Sequence, residues 1–378
     1  MEVASLVLTA IGMTTSVGLD SVDACASARA GLARPTEITT LNVAIDPNLA
    51  TEGVDGIPPF VVHAVPVVGM GSSGIAKLLA LAKPALQELL QQASLSADEC
   101  SRTGLCVNVS DAYFQDTFGE PPEPLDEQPV RSYVQSWMTT VERFLPRLCA
   151  ELGLPFPRHA QVAIAGGHVG LVDALRHAAS MMRTGTVDRC IVGGVESCVE
   201  PAALQAYAAA GVVKTAANPA GFLAGEASAF LLLEAQPPKS GRPLNIRVAA
   251  VSDGRDVPYL QTDIAPCGRG IAEAIVAAVA QGADTAAFPG LVVTDLNGNE
   301  SRAADWGHAL VQLRASFGEQ SFEVWHPAQA FGETGAAAGM LAIGTVARAI
   351  ERKYAPGSTA LVLVSSDDGR RGAVLLEA

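Results

Sequence analysis

Paired cysteines are missing from this chain. Its seven thiols are odd in number, contain no Cys-x-x-Cys and show no regular spacing. That argues against a disulfide framework and a thiolate zinc site, and it fits a reducing compartment. Aromatic residues are scarce, at 5%, which leaves little for the stacking platforms that hold unpaired bases. Positive charge is also short. Lys and Arg total 25 against 39 Asp and Glu, a net charge of −14, so DNA and anionic lipid are poor partners. Arg176, Arg183 and Arg189 are candidates for a local basic patch, although solvated helix faces are their ordinary reading. The chain opens Met-Glu with no basic leader region, which reads as no signal peptide. No apolar run has the length of a membrane span. The expected location is therefore cytoplasmic. His63, His159, His177, His308 and His326 lack partners at metal-ligand spacing, so neither metal nor cofactor is expected.

What is present is a compact globular composition: 49% hydrophobic, 17% charged, with 36 glycines in 378 residues. Such a chain can bury one large core or two medium ones. Apolar strands alternate with helices along it. SLVLTAIGMTT reads as a strand, followed by a helix from about Ser21 to Arg29. Residues 35–70 are broken by Pro and Gly, with a short strand at Phe60–Val65. From Ile75 to Gln92, Ile75, Leu78, Leu79, Leu86, Leu89 and Leu90 share one helical face. GLCVNVSDA (104–112) reads as a buried strand, GEPPEPLDEQP (119–129) as an exposed acidic loop, and Ser132 to Leu152 as a helix that Pro146 tends to kink. GEASAFLLLEA (225–235) closes a first half, and QPPKSGRPL (236–244) is the natural boundary. The second half repeats the plan in shorter form and ends on VLLEA, the echo of FLLLEA. The expectation is an α/β chain built from a half at 1–236 and a half at 244–378. Helices held between two sheets need small residues, and 332–349 has them.

The stretch QVAIAGGHVGLVDALRHAASMMRTGTVDRCIVGGVES (161–197) carries the chemistry. A strand runs into Gly-Gly, a helix follows, and a second strand ends in Gly-Gly-x-Glu. This layout delivers one side chain to the positive end of a helix. Cys or Ser belongs at that point in a nucleophilic enzyme; the residue here is His168.

Four segments together make the chain resemble a β-ketoacyl synthase of the thiolase-fold superfamily. They are LTAIGMTTSVGLDSVDACASARAGLARP at the start, VDRCIVGGVES, NPAGFLAGEASAFLLLEA and FGETGAAAGMLA. The third is the most specific, being similar to the family's R-x-G-F-x-x-G-E-G-A. The resemblance implies a thiolase-like fold, two pseudo-duplicated βαβαβαββ halves forming an αβαβα five-layer sandwich. It also implies a role related to fatty acid or polyketide biosynthesis and a dimer formed through sheet edges near 161–200. Family members condense with a Cys nucleophile, two His and a Lys. Counted back from the matched Gly185, the Cys position falls on His168. The first His falls on Asn297 in Leu296-Asn297-Gly298, the second on Glu333 after Gly332, and the Lys near Ala328. The family's Gly-Phe-Gly-Gly gating loop is replaced by Ser366-Asp-Asp-Gly-Arg370. Gly167, Ser366, Asp368 and Gly369 are then the implied substrate-binding positions, and His168, Asn297 and Glu333 the degenerate catalytic ones.

Claisen condensation needs a thiolate to hold the acyl group and N–H donors to stabilise an enolate. An imidazole at 168 holds no stable thioester. Removing the nucleophile of a comparable covalent enzyme costs on the order of 10⁶ in rate. Condensing activity is therefore not expected; any residual activity would be of acyltransferase type. Asp23-Ala-Cys25-Ala-Ser27 is similar to the family's elbow as a string, but it sits mid-helix with no Gly turn before it, so Cys25 reads as a packed thiol. Cys190 and Cys198 read as core residues, and Glu196 and Glu226 as buried hydrogen-bonding carboxylates. A helix N-terminus disfavours imidazolium, which keeps His168 neutral unless Glu333 counters by pairing with it.

Three readings follow. In the first, the chain is a non-condensing acyl-binding or scaffold subunit. As such it resembles a chain-length factor paired with a condensing enzyme, or an accessory component of a secretion-effector system. Homodimer or heterodimer, acyl carrier protein and secretion component are its partner classes, and the net acidity sits awkwardly with an acidic carrier. In the second, it is an acyltransferase, decarboxylase or hydrolase using His168, Asn297 and Glu333. In the third, it is a condensing enzyme with its cysteine elsewhere.

Overall fold

The computed structural model describes residues 6–38, 60–110, 128–215, 218–235, 242–259, 264–282 and 288–378, with backbone alone at 128–138, 202 and 205. Ten strands form the main sheet. In chain order β1 is Leu6–Thr14, β4 Thr103–Asn108, β5 Gln161–Ile164, β6 Arg189–Ser197 and β7 Glu226–Glu234. They are followed by β8 Ile246–Arg255, β9 Leu291–Val293, β10 Glu323–Trp325, β11 Thr359–Ser365 and β12 Arg370–Glu377. β2 (Thr36–Ile38) and β3 (Phe60–Val62) pair separately.

The helices are α1 Ser21–Arg29, α2 Gly74–Ala93, α3 Ala97–Cys100, α4 Gln128–Leu152 and α5 Gly170–Arg183. Beyond them lie α6 Pro201–Ala209, α7 Arg269–Gly282, α8 Glu300–Phe317, α9 Ala328–Phe331 and α10 Ala338–Glu351. α4 continues through Pro146. The acidic loop read at 119–129 lies, up to 127, outside the described residues, as do 236–241 of the boundary segment and 39–59. α6 was not apparent from residue periodicity; its signal is Pro201 at the first helical position.

The strand order is β10-β9-β11-β12-β8-β1-β7-β6-β4-β5. Each end of it holds one half of the chain in the same relative order, and the halves meet where Leu6–Leu8 pairs antiparallel with Ile246–Val248. β4, β5 and β6 are parallel, and β7 returns antiparallel along β6. β9, β10 and β11 are parallel in turn, with β12 antiparallel to β11.

Two helices lie between the halves. α5 packs on β4 and β6 and reaches β8 and β12, while α10 packs on β11 and also on β6 and β7. Because α10 faces protein on all sides, every residue of Gly339–Ala349 is buried. Gly, Ala, Met, Leu and Ile fill it, since bulkier residues all round would hold the sheets apart. α2 and α4 cover the outer face of the first half, and α7 and α8 that of the second. No described helix is long and apolar enough to cross a membrane.

Candidate functional site

The elbow forms as read. β5 ends at Ile164, the chain turns through Gly166 and Gly167, and a single 3₁₀ turn at Gly167–Val169 leads into α5. Asn108, wholly buried at the end of β4, holds the turn. Its Nδ2 donates to the carbonyls of Gly167 (2.6 Å) and Ala336 (3.0 Å), and its Oδ1 accepts from Gly166 N–H at 3.1 Å. Ser366 Oγ accepts from Val169 N–H at 2.9 Å and donates to the Gly166 carbonyl at 3.1 Å. One of the four donors that a helix start leaves open is satisfied in this way by the loop after β11.

His168 is buried at 5% exposure, and two carboxylates close on it. Nε2 lies 2.8 Å from Glu333 Oε1, and Nδ1 lies 2.9 Å from Asp295 Oδ2, off the line of its N–H bond. Glu333 arrives from the turn after Gly332, pinned by its own N–H to the Leu223 carbonyl (2.8 Å) and by Gly225 N–H to its carbonyl (2.7 Å). Asn297 Nδ2 donates to Glu333 Oε2, and Gly335 N–H donates to Oε1 at 2.6 Å. Asp295 follows β9. It accepts from Ser365 N–H at 2.6 Å and pairs with Arg302 Nη1 at 3.0 Å. Arg302 in turn reaches Asp367 Oδ1 at 2.9 Å.

Two cations and three anions thus share one buried cluster, and they set the charge on His168. Burial works against the imidazolium, but the Glu333 carboxylate, opposed by Arg302 and aided by Asp295, raises its pKa from 6.5 to about 10. Burial works equally against Glu333, yet pairing with His168, with Arg302 and Asn297 behind it, lowers its pKa to about 2. The helix-end preference for a neutral ring is therefore overridden, because the local ion pairs outweigh the dipole term of about 0.3–1 kcal/mol. Both ring nitrogens face carboxylates, so no lone pair is presented to a substrate, and an imidazolium is not a general base.

Space is as restricted as the proton. The cavity lined by His168, Glu196, Tyr207, Phe222, Asn297 and Glu333 measures about 30 Å³. A second, on the side of Asp295 and Ala328, measures about 20 Å³. Each has room for a water, whereas a small-molecule site usually occupies roughly 300–1,000 Å³. Glu196 closes the wall by accepting from Ala336 N–H at 2.5 Å.

His168, Asn297 and Glu333 are brought together. Gly167, Ser366, Asp368 and Gly369 line neither cavity. Ser366 caps the elbow, Asp368 Oδ1 accepts from Arg370 N–H at 2.8 Å inside its own turn, and Gly369 donates to the Ser366 carbonyl. This loop is tied to backbone on both sides, and Asp367, not Asp368, reaches the cluster through Arg302. Asp295, Arg302, Asp367 and Asn108 were not identified from the sequence. For Arg302 the available signal was Asn299, the N-cap of α8, whose Oδ1 accepts from Ser301 and Arg302 N–H.

None of the thiols lines either His168 cavity. Cys25 is buried against Met13 Sδ at 3.7 Å, and burial pushes its thiol up to about 12. Cys198 lies behind Tyr207, whose hydroxyl donates to its Sγ at 3.5 Å. Burial, and then the Glu196 and Glu333 carboxylates, raise its pKa well above the ordinary value, the reverse of what a reactive thiol needs. Glu226 is fully buried and structural: it pairs with Lys77 Nζ at 2.9 Å and accepts from Val65 N–H and Ser197 Oγ. Among the described residues no group of three His, Cys, Asp or Glu is placed to hold a metal ion.

Residues 77–237 match the family profile of the β-ketoacyl synthase N-terminal domain. The whole chain superposes on solved ketosynthases. The ishigamide ketosynthase/chain length factor matches at TM-score 0.66 and 21% identity over 99% of both chains. The AntDE:AntF complex, a type II polyketide synthase carrier protein with its ketosynthase bound to the hexaketide, matches at 0.72 and 15% over 99% of both. The ketosynthase ApeO in complex with its chain length factor ApeC, from Xenorhabdus doucetiae, matches at 0.70 and 15%, over 99% of this chain and 98% of that one. No curated protein sequence matches. The ketosynthase resemblance and the thiolase-like fold read from the sequence are thereby borne out.

Proposed function

We propose that this ketosynthase-like chain is a non-condensing subunit that works by binding a partner, a condensing enzyme first among the candidates. The observation that carries the reading is the buried His168–Glu333–Asp295 cluster. It supports the reading of His168 as standing in for the family's sulfur nucleophile, because the ring lies between two carboxylates and the cavity beside it measures only about 30 Å³. Structures of similar fold include a ketosynthase with its chain length factor and a ketosynthase with its carrier protein. They supply the two partner classes by analogy. The alternative of altered acyl chemistry through His168, Asn297 and Glu333 has less support, because both ring nitrogens already lie against carboxylates. No observation favours the secretion-accessory reading.

The test is intact-mass analysis after incubation with acyl and malonyl thioesters, alongside a condensation assay. Unchanged mass and no ketoacyl product are expected. Covalent acylation at any cysteine, or turnover that His168→Ala abolishes, would overturn the reading. Co-purification from the native host, followed by mass spectrometry, is expected to return a condensing enzyme as stoichiometric partner.

A further inference from the structure

A hollow far larger than the His168 cavity lies beside it, across α9. About 450 Å³ of space lies between α1, the end of β10, Thr345 in the middle of α10 and Tyr354 just beyond that helix. That is some fifteen times the His168 cavity, and it falls within the range of small-molecule sites. Pro327 lines both this hollow and the smaller His168 cavity. His326 is tied to Thr294, also in that smaller cavity, through Nδ1 to Oγ1 at 2.8 Å.

Its walls have a definite chemistry. Trp325 and Tyr354 stack with centroids 6.1 Å apart and planes 28° from parallel. The Arg29 guanidinium lies 4.0 Å from the Tyr354 centroid. Among the described residues Arg29 has no carboxylate partner, which is unusual in a chain with net charge −14. The other charges around Tyr354 are Arg348 and Glu351, which pair with each other, and Glu323 sits outside the lining, accepting from the Trp325 indole at 3.3 Å. Among the described residues that line the hollow, Arg29 is thus a cation without a carboxylate partner beside two flat rings. His326 also lines the hollow, and burial holds its pKa below the ordinary value.

The geometry points to a binding site for a small planar aromatic carboxylate. Its ring would lie along Trp325 and Tyr354, and its anion would pair with Arg29. This stands apart from the non-condensing reading, since none of its residues belongs to the His168 cluster.

Isothermal titration calorimetry with naphthoate and, as the uncharged control, naphthamide tests it on the full chain. Saturable one-to-one binding of the acid is expected, with the amide at least tenfold weaker. Arg29→Ala, at an exposed position, is expected to cost tenfold or more in affinity. Ala28→Trp, which puts an indole into the hollow, is expected to remove binding while the circular dichroism spectrum stays unchanged. No saturable heat with the acid would overturn the proposal, as would equal binding of the amide, or full affinity in Arg29→Ala. The amide and Arg29→Ala arms decide the matter even if Ala28→Trp misfolds.

Discussion

His168 is the residue on which the buried cluster turns. His168 is held as an imidazolium by Glu333 and Asp295, and its titration gives stability a definite pH dependence. Its pKa is raised on folding from 6.5 to about 10, so its stabilising contribution is complete below 6.5 and is lost as pH rises through 10. Glu333 is depressed from 4.5 to about 2, so its contribution is complete above 4.5 and is lost as pH falls through 2. Both are fully present only between 4.5 and 6.5. His168→Gln leaves buried carboxylates short of a cation and is expected to cost on the order of 3 kcal/mol near pH 5.5. Denaturant melts of both proteins near pH 5.5, 7.5 and 9.5 are expected to show that gap narrowing steadily. A gap that stays constant or widens toward high pH would mean the ring is neutral in the folded protein.

At the scale of elements, the site depends on two glycine turns that the sequence announces and on loops that it does not. Gly335 takes φ +49° with Glu196 Oε2 just 2.0 Å from where a Cβ would stand. An alanine there meets left-handed strain and also displaces the Glu196 carboxylate from Ala336 N–H. About 1–2 kcal/mol for the first and about 1.5–3 for the second predict a loss of roughly 2.5–5 kcal/mol. Gly185 is the control, at φ +70° with nothing within 4 Å of its Cβ position; Gly185→Ala is expected to lose only the strain. Equal shifts in denaturation midpoint for the two would disprove the crowding. The Gly-Gly elbow and the Gly-Glu turn were legible because glycine at a strand-to-helix junction has few other uses. Asp295, Arg302 and Asp367 were not legible. Each stands in an ordinary loop or first helical turn, and only the folding of β9, α8 and the loop after β11 onto one point gives them a joint role. The loop at 366–370 was read as substrate-facing by family position; its tie to the elbow through Ser366 needed coordinates to be seen.

At the scale of the molecule, the alternation of strands and helices and the echo of FLLLEA in VLLEA gave a duplicated α/β chain, and the ketosynthase resemblance implied how its halves stack. They do not say how strongly the halves depend on each other, and the packing does. One apolar cluster runs through Leu171, Leu175 and Leu231 of the first half and Met340, Ile343, Val362 and Val374 of the second. α10 belongs to the second half by sequence, yet it lies against β6 and β7 of the first. Separating the halves would expose both sides of that layer, so neither has a complete core alone. A single calorimetric transition is therefore expected, with calorimetric and van't Hoff enthalpies in agreement. Residues 1–236 expressed alone are expected to be aggregated or molten, and to regain native-like near-ultraviolet dichroism when co-expressed with 237–378. Two resolved transitions, or a soluble, cooperatively unfolding 1–236 fragment, would show that the middle layer is a contact between independent domains and not a shared core. The His168 cluster would then have to be reconsidered as well, since its residues come from both halves: His168 from one, and Asp295, Arg302 and Glu333 from the other.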